Sequence, residues 1–214
     1  MFETRQNTIK TIDYGDYEIH HKRTVQYFLD QDCNGNFKID EWNVDPLADL
    51  FYYFTGNVEE CEKRGNSLSK GIMLCGGIGS GKTKIMQAYK RYTGDFLRCN
   101  SFQYFRSAEI VESAKVDQTE YLRKFGIENP ITCYIDDIAA GNEKAKIYGT
   151  DINPIEEVLN TRYVLFQNTG KLTHVSCNLT ISMLQNQKVY GERTIDRMRE
   201  MFNIILLNGN SRRK

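Results

Sequence analysis

The sequence predicts an α/β protein in which helices cover both faces of a parallel sheet, and three observations carry that prediction. From Lys70 onward, short apolar runs alternate with segments of helical periodicity; the first run leads straight into a glycine-rich turn that opens a helix; and the third ends in two adjacent carboxylates. The strand-like runs are Gly71 to Cys75, Phe96 to Asn100, Ile131 to Ile135, Leu172 to Asn178 and Asn203 to Leu207. Each segment between them is long enough to cross a sheet face, the pattern of a doubly covered five-stranded parallel sheet. Right-handed crossovers then bring all five carboxyl ends to one edge, where open α/β sheets bind ligands.

Ahead of this region, His20 to Leu29 and Asp45 to Phe54 read as short helices, the second with Pro46 in its first turn. The polar stretch Glu59 to Lys70, with Gly65 and two serines, reads as a linker. The expected organisation is therefore a helical N-terminal region over residues 1–65, able to dock a partner, and a main domain over residues 66–214.

With 214 residues, 40% of them hydrophobic, 26% charged and only 3 Pro, the chain is neither disordered, collagen-like nor a disulfide scaffold. No apolar run approaches the roughly 18 residues of a membrane span, and Met1 to Lys10 is polar where a secretory leader is apolar. A cytoplasmic protein with no membrane partner is expected. Cys33, Cys61, Cys75, Cys99, Cys133 and Cys177 form no CxxC pair and read as reduced core thiols, while His20, His21 and His174 are too scattered for a paired-ligand zinc site. Net charge is zero, yet Asp30 to Glu62 holds nine acidic residues against one lysine, and Lys63 to Lys124 holds twelve basic against five acidic. Only the second stretch can attract phosphate.

The sharpest motif is GGIGSGKT, comprising Gly76, Gly77, Ile78, Gly79, Ser80, Gly81, Lys82 and Thr83, which fits GxxxxGK[ST] between an apolar strand and a helix. Glycines let successive backbone N–H groups turn toward a phosphate, and the helix N-terminus adds positive potential. Lys82 can reach the β and γ phosphates of ATP, and the Thr83 hydroxyl can hold Mg²⁺. Fifty-four residues after Lys82, ITCYIDD ends in Asp136, suited to accept from the water shell of Mg²⁺, and Asp137, suited to orient or deprotonate an attacking water. An Asp pair at a strand end can alternatively cap the next helix.

Asn178, closing the run LTHVSCN, puts an amide at a strand tip where it can position water or sense a γ-phosphate; such an Asn is also a common turn residue. In GERTIDRMREMF, Gly191 to Phe202, Ile195, Met198 and Phe202 form an apolar stripe and Arg193 and Arg197 point away from it. Like charges four residues apart repel by roughly 0.2–0.5 kcal/mol unless an anion meets them. Either Asp196 and Glu200 supply that anion locally, or a neighbouring subunit's nucleotide does. Upstream, Asp30, Asp32, Asn34, Gly35 and Glu41 match positions 1, 3, 5, 6 and 12 of an EF-hand loop. The match occurs once and Pro46 interrupts the helix that should follow, so an ordinary acidic turn is expected.

Taken in order, the glycine loop, the apolar DD strand, the Asn-tipped strand and the GERxxDRM helix resemble the AAA+ helicase loaders of the DnaC type and the related IstB transposition helper ATPases. The likeness runs from Lys70 to the C-terminus and is carried by THVSCNL, YGERTIDRMREMFN and NGNSRR; upstream, NFKIDEWN and DLFYYFTGN are similar to the helical lead-in of those proteins. The resemblance implies a P-loop NTPase fold with sheet order 5-1-4-3-2, Asn178 as sensor 1, Arg197 as a trans-acting finger with Arg193 as its helper, and Arg212 or Arg213 near the nucleotide. It also implies a homo-oligomer in the ATP state that grips single-stranded DNA and a replicative DNA helicase. Lys144, Lys146 and Tyr148 are the candidate DNA contacts, since such grooves combine cations with aromatic platforms. Where many AAA+ ATPases place Glu after the Walker B Asp, this chain has Asp137, which points to slow hydrolysis or to a switch that binds ATP without hydrolysing it. Within the same fold the alternative is a transposase regulator, and from another class a small-molecule P-loop kinase.

Overall fold

The computed structural model describes residues 14–33, 35, 37–98, 101–141, 143–147, 150–209 and 211–212. Asn34, Cys99, Tyr148 and Arg213 lie outside the described residues. The chain opens with α1 (Tyr14–Asp32), α2 (Val44–Thr55) and α3 (Val58–Lys63), then alternates through β1 (Gly71–Cys75), α4 (Lys82–Arg91), β2 (Gln103–Arg106), α5 (Ser107–Val116), α6 (Gln118–Phe125) and β3 (Cys133–Ile138). A short antiparallel hairpin follows, β4 (Ala145–Ile147) and β5 (Thr150–Ile152), then α7 (Pro154–Thr169), β6 (Thr173–Cys177), α8 (Ile181–Asn186), α9 (Glu192–Met201) and β7 (Phe202–Leu206).

Five strands form one parallel sheet in the order β2-β3-β6-β1-β7. Counted along the chain that is 5-1-4-3-2, the order implied by the family resemblance. Alternate residues of β1 serve opposite faces: Met73 and Cys75 join the cluster packed by α5, α6, α7 and α9, whereas Ile72 and Leu74 join the one packed by α1, α2 and α4. Full burial of such side chains contributes roughly 1.5–3 kcal/mol each. The two lead-in helices supply Val25, Leu29, Leu50 and Phe51 to that second cluster beside Ile85 and Tyr89 of α4, so they form one packed layer with it. Gly71 is required where β1 starts, because a Cβ there would lie 1.7 Å from the Thr173 carbonyl oxygen of β6.

Two local expectations change. The second strand forms at Gln103–Arg106, not from Phe96 onward. Helix α4 instead runs on into a π-helical turn, Tyr92–Phe96, in which the Leu97 N–H bonds the Tyr92 carbonyl and the Tyr92 and Phe96 rings stack 5.6 Å apart. Aromatic packing against α1 outweighs the strand propensity of that run. The polar stretch read as a linker begins as helix α3, nucleated by the Asn57 side chain accepting from the Glu60 N–H at 3.1 Å and carrying acids in its first turn and Lys63 in its last.

Asp30 and Asp32 belong to the last turn of α1, where Asp30 accepts from Gln26 and Asp32 pairs with Arg91 at 3.0 Å. Among the described residues no group of three or more His, Cys, Asp or Glu side chains could hold a metal ion, and no helix is long and apolar enough to cross a membrane.

Candidate active site at the carboxyl edge of the sheet

Strand β1 ends at Cys75 and α4 starts at Lys82, so the intervening six residues must reverse direction within one turn of loop. They do so through left-handed conformations at Gly79 (φ 81°) and Gly81 (φ 101°), which cost little without a Cβ. Gly76 is needed for a different reason: a Cβ would meet the Leu207 carbonyl oxygen at 2.4 Å. The first turn of α4 contains no acidic side chain, so the positive end of the helix is left uncompensated by its own residues. Ser80 is buried within the loop and its hydroxyl has no protein partner.

Lys82 is 7% exposed, and its ammonium donates to the carbonyls of Gly76 (2.7 Å) and Gly77 (3.0 Å) and to Asn178 Oδ1 (2.8 Å). Burial lowers its pKa, and the nearby Asp137 charge opposes that shift. Next to it, the Thr83 hydroxyl lies 3.0 Å from both carboxylate oxygens of Asp136.

Asp136 is buried among hydroxyls. Besides Thr83 it accepts from Tyr134 (2.5 Å), Ser176 (2.7 Å) and Tyr104 (2.9 Å). Burial, reinforced by the Asp136 charge, pushes the Tyr104 hydroxyl up to about 12 and that of Tyr134 well above its ordinary value, so both remain donors.

Adjacent strand residues normally face opposite sides of a sheet, which would separate Asp136 from Asp137. A bulge resolves this. Ile135 pairs with Val175 and Ile138 with Cys177, leaving Asp136 and Asp137 together opposite Ser176 alone. Asp137 takes a left-handed conformation (φ 60°), its N–H donates to Ser176 Oγ at 2.9 Å, and its carbonyl accepts from Ser107 Oγ at 2.8 Å. Its exposed carboxylate thereby turns to Asn178, whose Nδ2 donates to it at 2.9 Å. One amide so bridges Lys82 and Asp137.

Lys82, Thr83, Asp136, Asp137 and Asn178 thus come together. The two arginines of α9 stand apart from this network. Arg193 is exposed, as its helical position indicates. Arg197 is half-buried against α7, its guanidinium 4.7 Å from the centre of the Tyr163 ring and hydrogen-bonded to Asn160 Oδ1, so it does not point freely outward. Arg212 reaches the loop through its backbone, its N–H bonding the Gly79 carbonyl at 2.9 Å, while its guanidinium pairs with Asp40 at 2.9 Å. Lys144 and Lys146 are exposed at the β4–β5 hairpin.

Sequence reasoning missed Tyr104, Tyr134 and Ser176 as partners of Asp136, and Asn160 and Tyr163 as partners of Arg197. Tyr134 was within reach of it: residues two apart on a strand share a face, so Tyr134 and Asp136 had to be neighbours. The others come from separate segments and carry no such signal.

No protein-family model matches this chain, and no curated protein does. Solved structures do match. DnaI is 20% identical with a TM-score of 0.59, over 90% of this chain and 93% of its own. The DnaC helicase loader is 18% identical with a TM-score of 0.54, over 87% and 99% of the two chains. The replication initiator DnaA bound to AMPPCP and single-stranded DNA is 15% identical with a TM-score of 0.57, over 86% of this chain and 50% of its own. At these identities the likeness is one of fold alone, the α/β fold shared with these three structures.

Proposed function

We propose that this protein binds and hydrolyses ATP and uses that cycle to load or regulate a replicative DNA helicase in DNA replication. The observation that carries the reading is the bridge Lys82–Asn178–Asp137, set beside the Thr83–Asp136 pair at the mouth of a glycine loop, in a fold shared with the DnaC helicase loader and DnaI.

The residues fit a triphosphate and its metal. The loop offers N–H groups, an uncompensated helix end and a desolvated ammonium, and Thr83 with Asp136 offers a hydroxyl and a carboxylate, the hard oxygen donors that Mg²⁺ prefers. Mg²⁺ held there would neutralise charge on the phosphates. Lys82 exchanges the Gly76 and Gly77 carbonyls for phosphate oxygens. Asn178, relieved of Lys82, orients the attacking water with Asp137, which accepts the proton from that water as its oxygen bonds the γ-phosphorus and the bond to the β–γ bridging oxygen breaks, releasing ADP and phosphate. Arg197 from a second copy stabilises the departing charge, which requires it to leave Asn160 and Tyr163. On this reading ATP acts as a timer: copies assemble around it, hold single-stranded DNA and the helicase, and let go after hydrolysis.

A pull-down against the host's replicative helicase, run with ATP and without it, tests the proposal. Association that depends on ATP is expected, and an absence of association in both states overturns the helicase assignment. Titration with ATP tests the site itself, and a chain that binds none removes the premise.

A further inference from the structure

A second buried carboxylate lies outside the network just described. Glu143, in the turn between β3 and β4, is 5% exposed, and donors from two separate segments hydrogen-bond to it. Its Oε1 accepts the N–H of Ala139 at 2.5 Å, two residues beyond Asp137 and itself in a left-handed conformation (φ 60°). Its Oε2 accepts the hydroxyl of Tyr190 at 2.8 Å, the residue before the α9 N-cap Gly191. The Asn153 side chain, which caps α7, lies near enough to favour the charged carboxylate.

Helix α7 in turn holds α9. Glu156 accepts from the Gly191 N–H and the Thr194 hydroxyl, both at 2.7 Å, and Asn160 binds Thr194 at 3.0 Å and also Arg197. Glu143 is therefore bonded directly to Tyr190 at the entry to α9, while α7, whose cap Asn153 lies near Glu143, holds the start and middle of that helix. Burial raises its pKa, the bonds from Tyr190 and Ala139 and the nearby Asn153 side chain oppose that, and the Asp137 charge adds to it. Leaving such a group without its partners is costly, so the segments that satisfy it are held in one register.

We propose that Glu143 is a positioning residue that locks the Asp137 turn to the arginine helix α9, so that the state of a subunit's own hydrolytic carboxylate is passed to the arginines it presents to the next subunit. Its consequence for turnover rests on the ATPase reading above. The mechanical link itself does not.

The test uses the full-length chain and its Glu143→Ala, Glu143→Gln and Tyr190→Phe variants. Amide hydrogen exchange is read at residues 137–141 and 189–194, with residues 84–90 of α4 as the internal control. Loss of buried hydrogen bonds in Glu143→Ala is expected to speed exchange about tenfold or more in both segments and less than about twofold in the control. Glu143→Gln keeps an acceptor for Ala139 and a polar partner for Tyr190, and should return both segments to within about threefold of the wild type. Faster exchange in only one segment, or in neither, overturns the proposal, as does Glu143→Gln behaving like Glu143→Ala. Should Glu143→Ala fail to fold, Tyr190→Phe decides on the same criterion, since it removes one hydroxyl and must loosen both segments. In assembled protein, Glu143→Ala should lower kcat about tenfold with KM changed less than about twofold. Wild-type protein without turnover would sink the ATPase reading while the exchange data still judge the link.

Discussion

Asn178 Oδ1 lies 2.8 Å from the Lys82 ammonium, close enough that the tip of β6 occupies one of the three donors a phosphate would use. The same amide donates to Asp137. A γ-phosphate that draws Lys82 away therefore frees Asn178 beside the carboxylate proposed to activate water. Binding and hydrolysis share this residue without sharing its role, and substitution can separate them.

Asn178→Ala should leave ATP affinity within about threefold of the wild type and reduce kcat by roughly 10²–10³, the effect of removing one preorganised donor from a developing charge. Single-turnover kinetics beside equilibrium titration make the comparison. An affinity loss as large as the rate loss would mean that Asn178 serves binding.

Lys82→Ala acts earlier. A charge-assisted hydrogen bond contributes roughly 1.5–3 kcal/mol, so the loss of one predicts ATP binding about 10- to 150-fold weaker. Titration with a fluorescent ATP analogue measures it, and unchanged affinity would show that the ammonium does not meet the phosphates.

For Arg197→Ala, ATP affinity should stay nearly intact while turnover of the assembled protein falls by about 10³ or more, around 4 kcal/mol of transition-state stabilisation. The control is dilution. An equal loss in dilute monomer would be incompatible with action on a neighbouring subunit, and would leave Arg197 as a strut between α9 and the Tyr163–Asn160 face of α7.

His174 gives the fold a pH dependence separate from catalysis. It is fully buried in β6, ringed by Tyr53, Phe54 and Phe102, and its Nδ1 accepts the Ile72 N–H at 3.0 Å. Burial, with the Arg162 charge adding, lowers its pKa from 6.5 to about 3. The folded value lies below the unfolded one, so the unfolded chain takes up the proton first. This contribution is intact above about pH 6.5 and is lost as pH falls toward 3. Between pH 7 and pH 5 the loss amounts to about 2 kcal/mol. Urea melts across that range read it, and His174→Asn, whose amide oxygen can accept from the same N–H, should flatten the dependence. Equal slopes in the two proteins would rule His174 out as its source.

The glycine loop and the class of the fold were legible because their signals are local. GGIGSGKT specifies a strand-to-helix turn within eight residues, and four of the five strand runs appear in the sheet with ends moved by a few residues. Phe96 to Asn100 misled because aromatic residues suit a strand and a packed helical turn equally well, and the choice was made by Tyr92 and the helix α1 layer. The Asp pair was legible as a pair, but its division of labour was not, since the bulge that turns Asp137 toward Asn178 depends on the pairing of β3 with β6.

The sequence by itself determined which residues could handle a phosphate and on which edge of the sheet they would stand, since residue type, spacing and periodicity are properties of short segments. Tertiary structure alone decided that Asp136 would be enclosed by hydroxyls from β2, β3, α4 and β6, that Arg197 would rest on α7, and that Glu143 would join the turn after β3 to Tyr190. Most of those contacts link residues 32 to 53 positions apart, and buried polar groups take whichever partners the packed chain brings within about 3 Å, a choice that no single segment encodes.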